Sequence, residues 1–189
     1  GTQDDGHIGN CQSRVKPRGP IRVNARSLTV IEAIVARFGQ SFGGAVRIDE
    51  PMSRHATIGV GGPADLLVTV QTEAQLIEAV TLARRQLIHY WVLGAGSNVL
   101  VSDAGIRGLV IINQAQEVTY RHNGVGVVVR AESGAYLSAL ARQTASRGLA
   151  GREWAIGIPG TVGGAVVGNA GAHGGCVADS LRFATILDI

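Results

Sequence analysis

Apolar positions along the chain recur at two periods. Ile31, Ile34, Val35 and Phe38 fall at helical intervals, and Thr29 with Glu32 has the spacing of a helix-start capping box. An amphipathic helix of about three turns is therefore predicted from near Ser27 to Gly39, where GQSFGG breaks the pattern. Leu66 to Val70 reads as a strand. Thr72 and Gln75 repeat the capping spacing, and Leu76, Ala79, Val80 and Ala83 make a second helical stripe. Strands follow at Tyr90–Leu93, at Leu109–Ile112 and over the β-branched run Val125–Ala131. A helix over 135–147, with Leu137, Leu140, Ala141 and Ala145 inward, stops at Gly148, and Phe183–Ile189 reads as a last strand. Short strands separated by long glycine-bearing connections favour an α+β domain with a mixed sheet over a regular doubly wound one.

Composition narrows the class. The chain has 189 residues, 46% of them hydrophobic and 16% charged, which is enough for a globular core. No apolar run reaches membrane-span length. The opening GTQDDGHIGN has neither the basic nor the apolar region of a secretory leader, so a cytoplasmic protein is expected. The net charge of +3 is carried by residues 1–26, where Arg14, Lys16, Arg18, Arg22 and Arg26 face only Asp4 and Asp5. Residues 27–189 are balanced, so no nucleic-acid face is expected on the globular part. The tail 1–26 reads as poorly ordered, followed by a lead-in helix and connecting segment, 27–58, and by a ligand-binding domain, 59–189.

Two glycine loops carry the candidate chemistry. In 93-LGAGSNVLV-101, Val99 stands where the dinucleotide fingerprint needs glycine, and no helical period follows, so this is no Rossmann loop. Its glycines can still turn backbone amides toward an anion, with Ser97 and Asn98 as uncharged donors. In 158-IPGTVGGAVVGNAGAHGG-175, Pro159-Gly160 sets a turn, Thr161 can donate a hydroxyl, and Gly163-Gly164 leave the backbone uncovered. Apart from His173 near its end, the second loop offers no acid or base of its own. Together the two loops point to one large anionic ligand clamped between neutral donors, or to close backbone packing against a strand.

The segments GGPADLLV at 61–68, LGAGSNVLVSDAGIRGLVI at 93–111 and GREWAIGIPGTVGGAVVGNAGAHGG at 151–175 resemble UDP-N-acetylenolpyruvoylglucosamine reductase, a flavoenzyme of peptidoglycan precursor synthesis. The likeness covers about residues 50 to 189. It implies a two-lobed FAD-binding domain of the vanillyl-alcohol oxidase / p-cresol methylhydroxylase type, without the substrate domain. It further implies non-covalent FAD, NADPH as co-substrate, a UDP-sugar substrate, no membrane or nucleic-acid partner, and a monomer. By motif, Leu93, Gly94, Ala95, Gly96, Ser97 and Asn98 hold the pyrophosphate from one side. Pro159, Gly160, Thr161, Gly163 and Gly164 hold it from the other, with Asn169, Gly171 and Ala172 nearer the isoalloxazine ring. The family's serine, arginine and glutamate lie downstream of the second loop and begin at a Tyr-Arg-x-Ser motif absent from these 189 residues, so no catalytic residue is nominated. Two positions depart from the family: Gly59 replaces a basic residue and Arg152 an apolar one.

The remaining chemical side chains have plainer readings. His173 is expected to wall the flavin pocket, Cys176 to be a structural thiol, and Trp154 to pack beneath the second loop. His7 and Cys11 have metal-like spacing but lack further ligands, so no metal is expected. Arg84 and Arg85 read as a solvated helix face, and Asp65 and Asp103 as turn caps. The competing functions are another FAD-dependent sugar or lactone oxidase and a nucleotide-binding module without catalysis.

Overall fold

A computed structural model of the protein describes residues 25–42, 46–122 and 124–188. Apart from Ala25 and Arg26, the basic tail lies outside the described residues, as do His7 and Cys11. Helix α1 spans Ala25–Phe42, β1 Val46–Pro51 and β2 Pro63–Val70; α2 spans Glu73–Arg85, β3 Tyr90–Leu93 and β4 Ile106–Asn113. These build one four-stranded sheet in the order β1-β2-β4-β3. Strands β2, β4 and β3 run parallel to one another, and β1 runs antiparallel to β2 on the edge. The sheet is thus mixed, as the pattern foretold.

Both faces of the two central strands are covered, which is why they read as apolar runs rather than alternations. On one face Leu66, Val68, Val70, Leu109 and Ile111 meet Phe38 of α1 and Ala79, Val80 and Ala83 of α2. On the other, Leu67, Val110 and Ile112 join Met52 and Ala64. A register shift between Ala64 and Leu66 explains how Ala64 and Leu67 share a face despite their odd spacing. Thr72 caps α2 as expected, accepting from the Gln75 amide at 3.2 Å. The Gln75 side chain closes the turn from its other end by accepting from the Gln71 amide at 2.7 Å.

Helix α1 is longer than predicted. It starts before Thr29, which lies in its interior, and it runs through Gly39 to Phe42. A glycine inside a helix costs about 1 kcal/mol relative to alanine. Here Phe42 stacks on Phe38 one turn back, with ring centroids 5.8 Å apart, and packs against the sheet core, which offsets that loss. Strand β1 went unpredicted because its partly exposed residues include Arg47, Asp49 and the exposed Ile48. Its identity comes from pairing with β2 at an edge, which composition does not announce.

Beyond the sheet, β5 (Val118–His122) and β6 (Val127–Ala131) form an antiparallel ribbon. The predicted Val125–Ala131 strand is β6, shortened because Val125 sits exposed in the turn. The ribbon is tied to α2 through Glu132, whose oxygens accept from the Glu73 amide at 3.1 Å and the Glu117 amide at 2.7 Å. Helix α3 (Leu137–Ala145) follows, then α4 (Val162–Val167), a hairpin of β7 (Gly171–Ala172) and β8 (Gly175–Cys176), and α5 (Val177–Ser180). In α3 it is Thr144, not Ala145, that faces inward; its hydroxyl is satisfied by the carbonyls of Leu140 and Ala141 at 3.1 and 2.9 Å. Leu137, Ala141, Ala155, Ala165 and Val177 form a separate core, with Trp154 packed against it. The hairpin turn places His173 and Gly174 at φ 51° and 80°, the paired positive values of a two-residue turn.

The predicted strand Phe183–Ile189 does not form among the described residues. Residues 181–188 have no regular structure, and Phe183 and Ile186 are exposed. An extended segment becomes a strand only when a neighbour takes its backbone hydrogen bonds, and no described strand pairs with it.

Candidate functional site

The parallel strands β3 and β4 both end at the same edge of the sheet, and a cleft of about 260 Å³ opens there. Ligands of open parallel sheets bind outside the carboxyl ends of the strands. One wall is Gly94 and Ala95, immediately after β3. A second is Asn113, Gln114 and Gln116, where β4 runs out. Gly134 and Tyr136 before α3, with Thr161 before α4, form a third. Arg54, His55, Ala56 and Thr57, from the turn between β1 and β2, form the last.

The two glycine loops face each other directly. A side-chain carbon on Gly94 would collide with the Thr161 side chain, and one on Gly160 would lie 2.8 Å from Ser97 Oγ. The Ser97 hydroxyl donates to the Pro159 carbonyl at 3.3 Å. The segments are therefore in contact, and glycine is what allows it. The second loop is held from behind by α3: Leu137 N donates to Gly160 O at 3.0 Å, and Val162 N donates to Ala135 O at 2.8 Å.

The donors differ from expectation in detail. Thr161 is buried and acts as the N-cap of α4, its hydroxyl oxygen accepting from Gly164 N at 3.4 Å. Gly163 and Gly164 are not uncovered loop but the first turn of that helix, and Gly163 N is spent on Ser133 O at 2.8 Å. The run GTVGGAVV reads as loop by its glycines, yet Thr161 supplies the cap and buried Ala165 the packing that make a short helix. Asn98 lies exposed in the turn after Ser97. Asn169, Gly171 and Ala172 do not line the cleft, and the Asn169 carbonyl oxygen accepts from Ala178 N at 3.0 Å.

Several cleft residues were not singled out from the sequence. Asn113 is buried; its amide donates to Ser133 Oγ at 2.8 Å and accepts from Ala115 N at 3.0 Å, joining the end of β4 to the approach to α3. Asp65 caps no turn: it pairs with Arg107 at 2.5 Å and accepts from Gly108 N at 2.9 Å, bracing β2 against β4. Cys176 caps α5: Asp179 accepts from its amide at 2.7 Å, and its thiol, in no disulfide, accepts from the Asp179 amide in return. Among the described residues no three His, Cys, Asp or Glu side chains gather as a metal site. No described helix is long and apolar enough to cross a membrane.

Electrostatically, Arg54 and His55 are the cleft-lining groups able to carry positive charge. Behind them lies Glu50, 6% exposed, whose carboxylate accepts from His55 Nε2 at 2.9 Å and Arg47 Nη1 at 3.0 Å. The His55 hydrogen bond is the main influence holding the Glu50 carboxyl below its ordinary 4.5; burial opposes it, and Arg47 and Arg54 add to it. A depressed folded-state value contributes stability that is fully present above 4.5 and lost as pH falls through the folded value. Glu50→Gln is accordingly expected to flatten the acid side of the stability profile below about pH 4.5 while leaving its slope near neutrality unchanged, as read by denaturant melts across pH.

Comparison with known proteins agrees with this geometry. A sequence family described as "FAD binding domain" matches residues 64–188. The UDP-N-acetylenolpyruvoylglucosamine reductase of Desulfosudis oleivorans is 50% identical over 137 residues, covering 71% of this chain and 44% of its own. That of Rubrobacter xylanophilus is 48% identical over 143 residues, covering 76% and 48%. The chain therefore spans just under half the length of the relatives it matches. The crystal structure of the Thermus caldophilus reductase superposes with a TM-score of 0.55 at 40% identity, over 72% of this chain and 46% of that one. Alkyldihydroxyacetonephosphate synthase, at 17% identity and a TM-score of 0.59 over 78% of this chain and 32% of its own, shares the fold alone. The fold is the vanillyl-alcohol oxidase / p-cresol methylhydroxylase type of FAD-binding domain that the motifs implied. The chain belongs to the FAD binding domain family, and within it matches the FAD-binding part of UDP-N-acetylenolpyruvoylglucosamine reductases.

Proposed function

We propose that this chain binds FAD non-covalently and serves as the flavin-holding part of an enzyme that uses NADPH to reduce UDP-N-acetylglucosamine enolpyruvate to UDP-N-acetylmuramate. The enzyme acts on this UDP-sugar as a cytoplasmic monomer, with neither membrane nor nucleic acid as partner. One observation carries the reading: Gly94 and Thr161, and Gly160 and Ser97, approach so closely across the sheet edge that side-chain carbons at the glycines have no room.

The residues present fit the cofactor's diphosphate. Little side chain covers the backbone of Leu93–Asn98 and Gly160, whose main-chain N–H groups are the donors assigned to the phosphate oxygens at this strand edge. Arg54 on the adjoining wall supplies positive charge that the neutral loops lack. Thr161 lines the cleft, and Gly163 and Gly164 shape the same wall as the start of α4, their amides already donating to Ser133 O and Thr161 Oγ1. Asn169, Gly171 and Ala172 lie outside the cleft lining, and their assignment nearer the flavin ring rests on the motif likeness alone. When bound, FAD supplies hydride transfer; the protein's part is to hold it, orient it and exclude water.

Titration of the purified protein with FAD tests this. Shifted flavin bands that stay with the protein through gel filtration are expected. A colourless protein that gains no bound flavin from added FAD refutes the proposal.

A further inference from the structure

Glu50 is a buried charge that the reading above leaves without a role. Replacing a buried ion pair by apolar residues of similar size is often neutral or stabilising, so the pair calls for a function other than stability. Its surroundings supply one. A carboxylate only accepts, so the 2.9 Å contact requires His55 to carry its proton on Nε2, which sets the ring's orientation. The His55 side chain is 18% exposed and its residue lines the cleft. Main-chain contacts then run from the His55 segment to the first glycine loop. The His55 carbonyl packs against Gly96 so tightly that no side-chain carbon fits between them. Thr57 N donates to Gly96 O at 3.0 Å, and the Thr57 hydroxyl donates to Ala95 O at 3.5 Å.

We infer that the Glu50–His55 pair is a positioning device for the first glycine loop: it fixes the segment 55–57, which in turn holds Ala95 and Gly96 in place beside the cleft. This rests on the cofactor reading. His55 and Glu50 act through the loop as positioning residues, and the Glu50 charge is balanced on its own side by Arg47 and Arg54.

The test measures FAD affinity by flavin fluorescence on the full chain, with a melting curve for each variant. His55→Phe keeps a ring but removes the donor, and its Kd for FAD is expected to rise about tenfold. His55→Gln restores an N–H within reach of Glu50 and is expected to return Kd to within about threefold of the unmodified protein. Asp65→Asn, which breaks the Arg107 pair on the same sheet, is expected to lower the melting temperature and leave Kd within about twofold. Should His55→Phe not fold, Glu50→Gln takes its place, with Kd expected to rise about threefold.

An unchanged Kd in His55→Phe, or in its replacement, overturns the inference. So does a glutamine variant as weak as the phenylalanine one, or an Asp65→Asn protein that loses FAD equally. Failure of the unmodified protein to bind FAD overturns the cofactor reading and this inference with it, whereas intact binding with unaffected variants overturns the inference alone.

Discussion

Gly96→Ala is expected to abolish FAD retention and to lower the melting temperature by roughly 10 °C. Two separate costs combine. Gly96 sits at φ 66°, the left-handed region that costs a residue with a side chain about 1–2 kcal/mol. Its new carbon would also run into the His55 carbonyl, and main chain cannot swing aside as the tip of a side chain can. Overpacking of that kind adds about 1–3 kcal/mol. Relief requires either the loop or the 55–57 segment to move, and both line the cleft. The loss of binding should therefore exceed what partial unfolding explains. Melting curves with and without FAD check this: a variant that melts like the unmodified protein and is still stabilised by FAD would contradict the packing described here.

Gly134→Ala should also be damaging, and at the cleft itself. Gly134 has no unusual backbone requirement, but a carbon there would lie 2.7 Å from both the nitrogen and the oxygen of Ala115 and 2.8 Å from the Asn113 carbonyl. All three are main-chain atoms, and two bonds lock them in place: Ala115 N to Asn113 Oδ1 and Asn113 Nδ2 to Ser133 Oγ. The expected cost is about 2 kcal/mol, with FAD affinity down at least about tenfold because the end of β4 and the start of α3 are pushed apart. The same melts and titration decide it. A variant with unchanged affinity would mean that the wall carrying Gly134 does not touch the ligand.

Gly134 also shows why part of the site was hidden. In AESGAY it looks like an ordinary turn glycine, and its importance lies in what approaches it from β4, about twenty residues earlier in the chain. The same holds for His55 and Asn113, polar residues in unremarkable stretches that matter because the fold brings them to one cleft from segments far apart in the chain. By contrast, GAGSN and IPGTVGG stood out by composition, since so much glycine among apolar neighbours has few uses. Local signals also located α2 with its Thr72 cap and all of β3. They failed where pairing decides: β1 was overlooked, and Phe183–Ile189, apolar enough for a strand, finds no partner among the described residues.

What the order of residues settled by itself was local: the helical and extended periods, the capping pairs, and two stretches of backbone bare enough to touch an anion. Tertiary structure decided that those two stretches meet, that Gly163 and Gly164 begin a helix rather than lie open, and that a buried glutamate stands behind the cleft. The physical reason is range. Periodicity and capping act within a turn or two of chain, whereas the contact between Gly94 and Thr161 joins residues that share no local interaction and are brought together only by the packing of β3, β4 and α3.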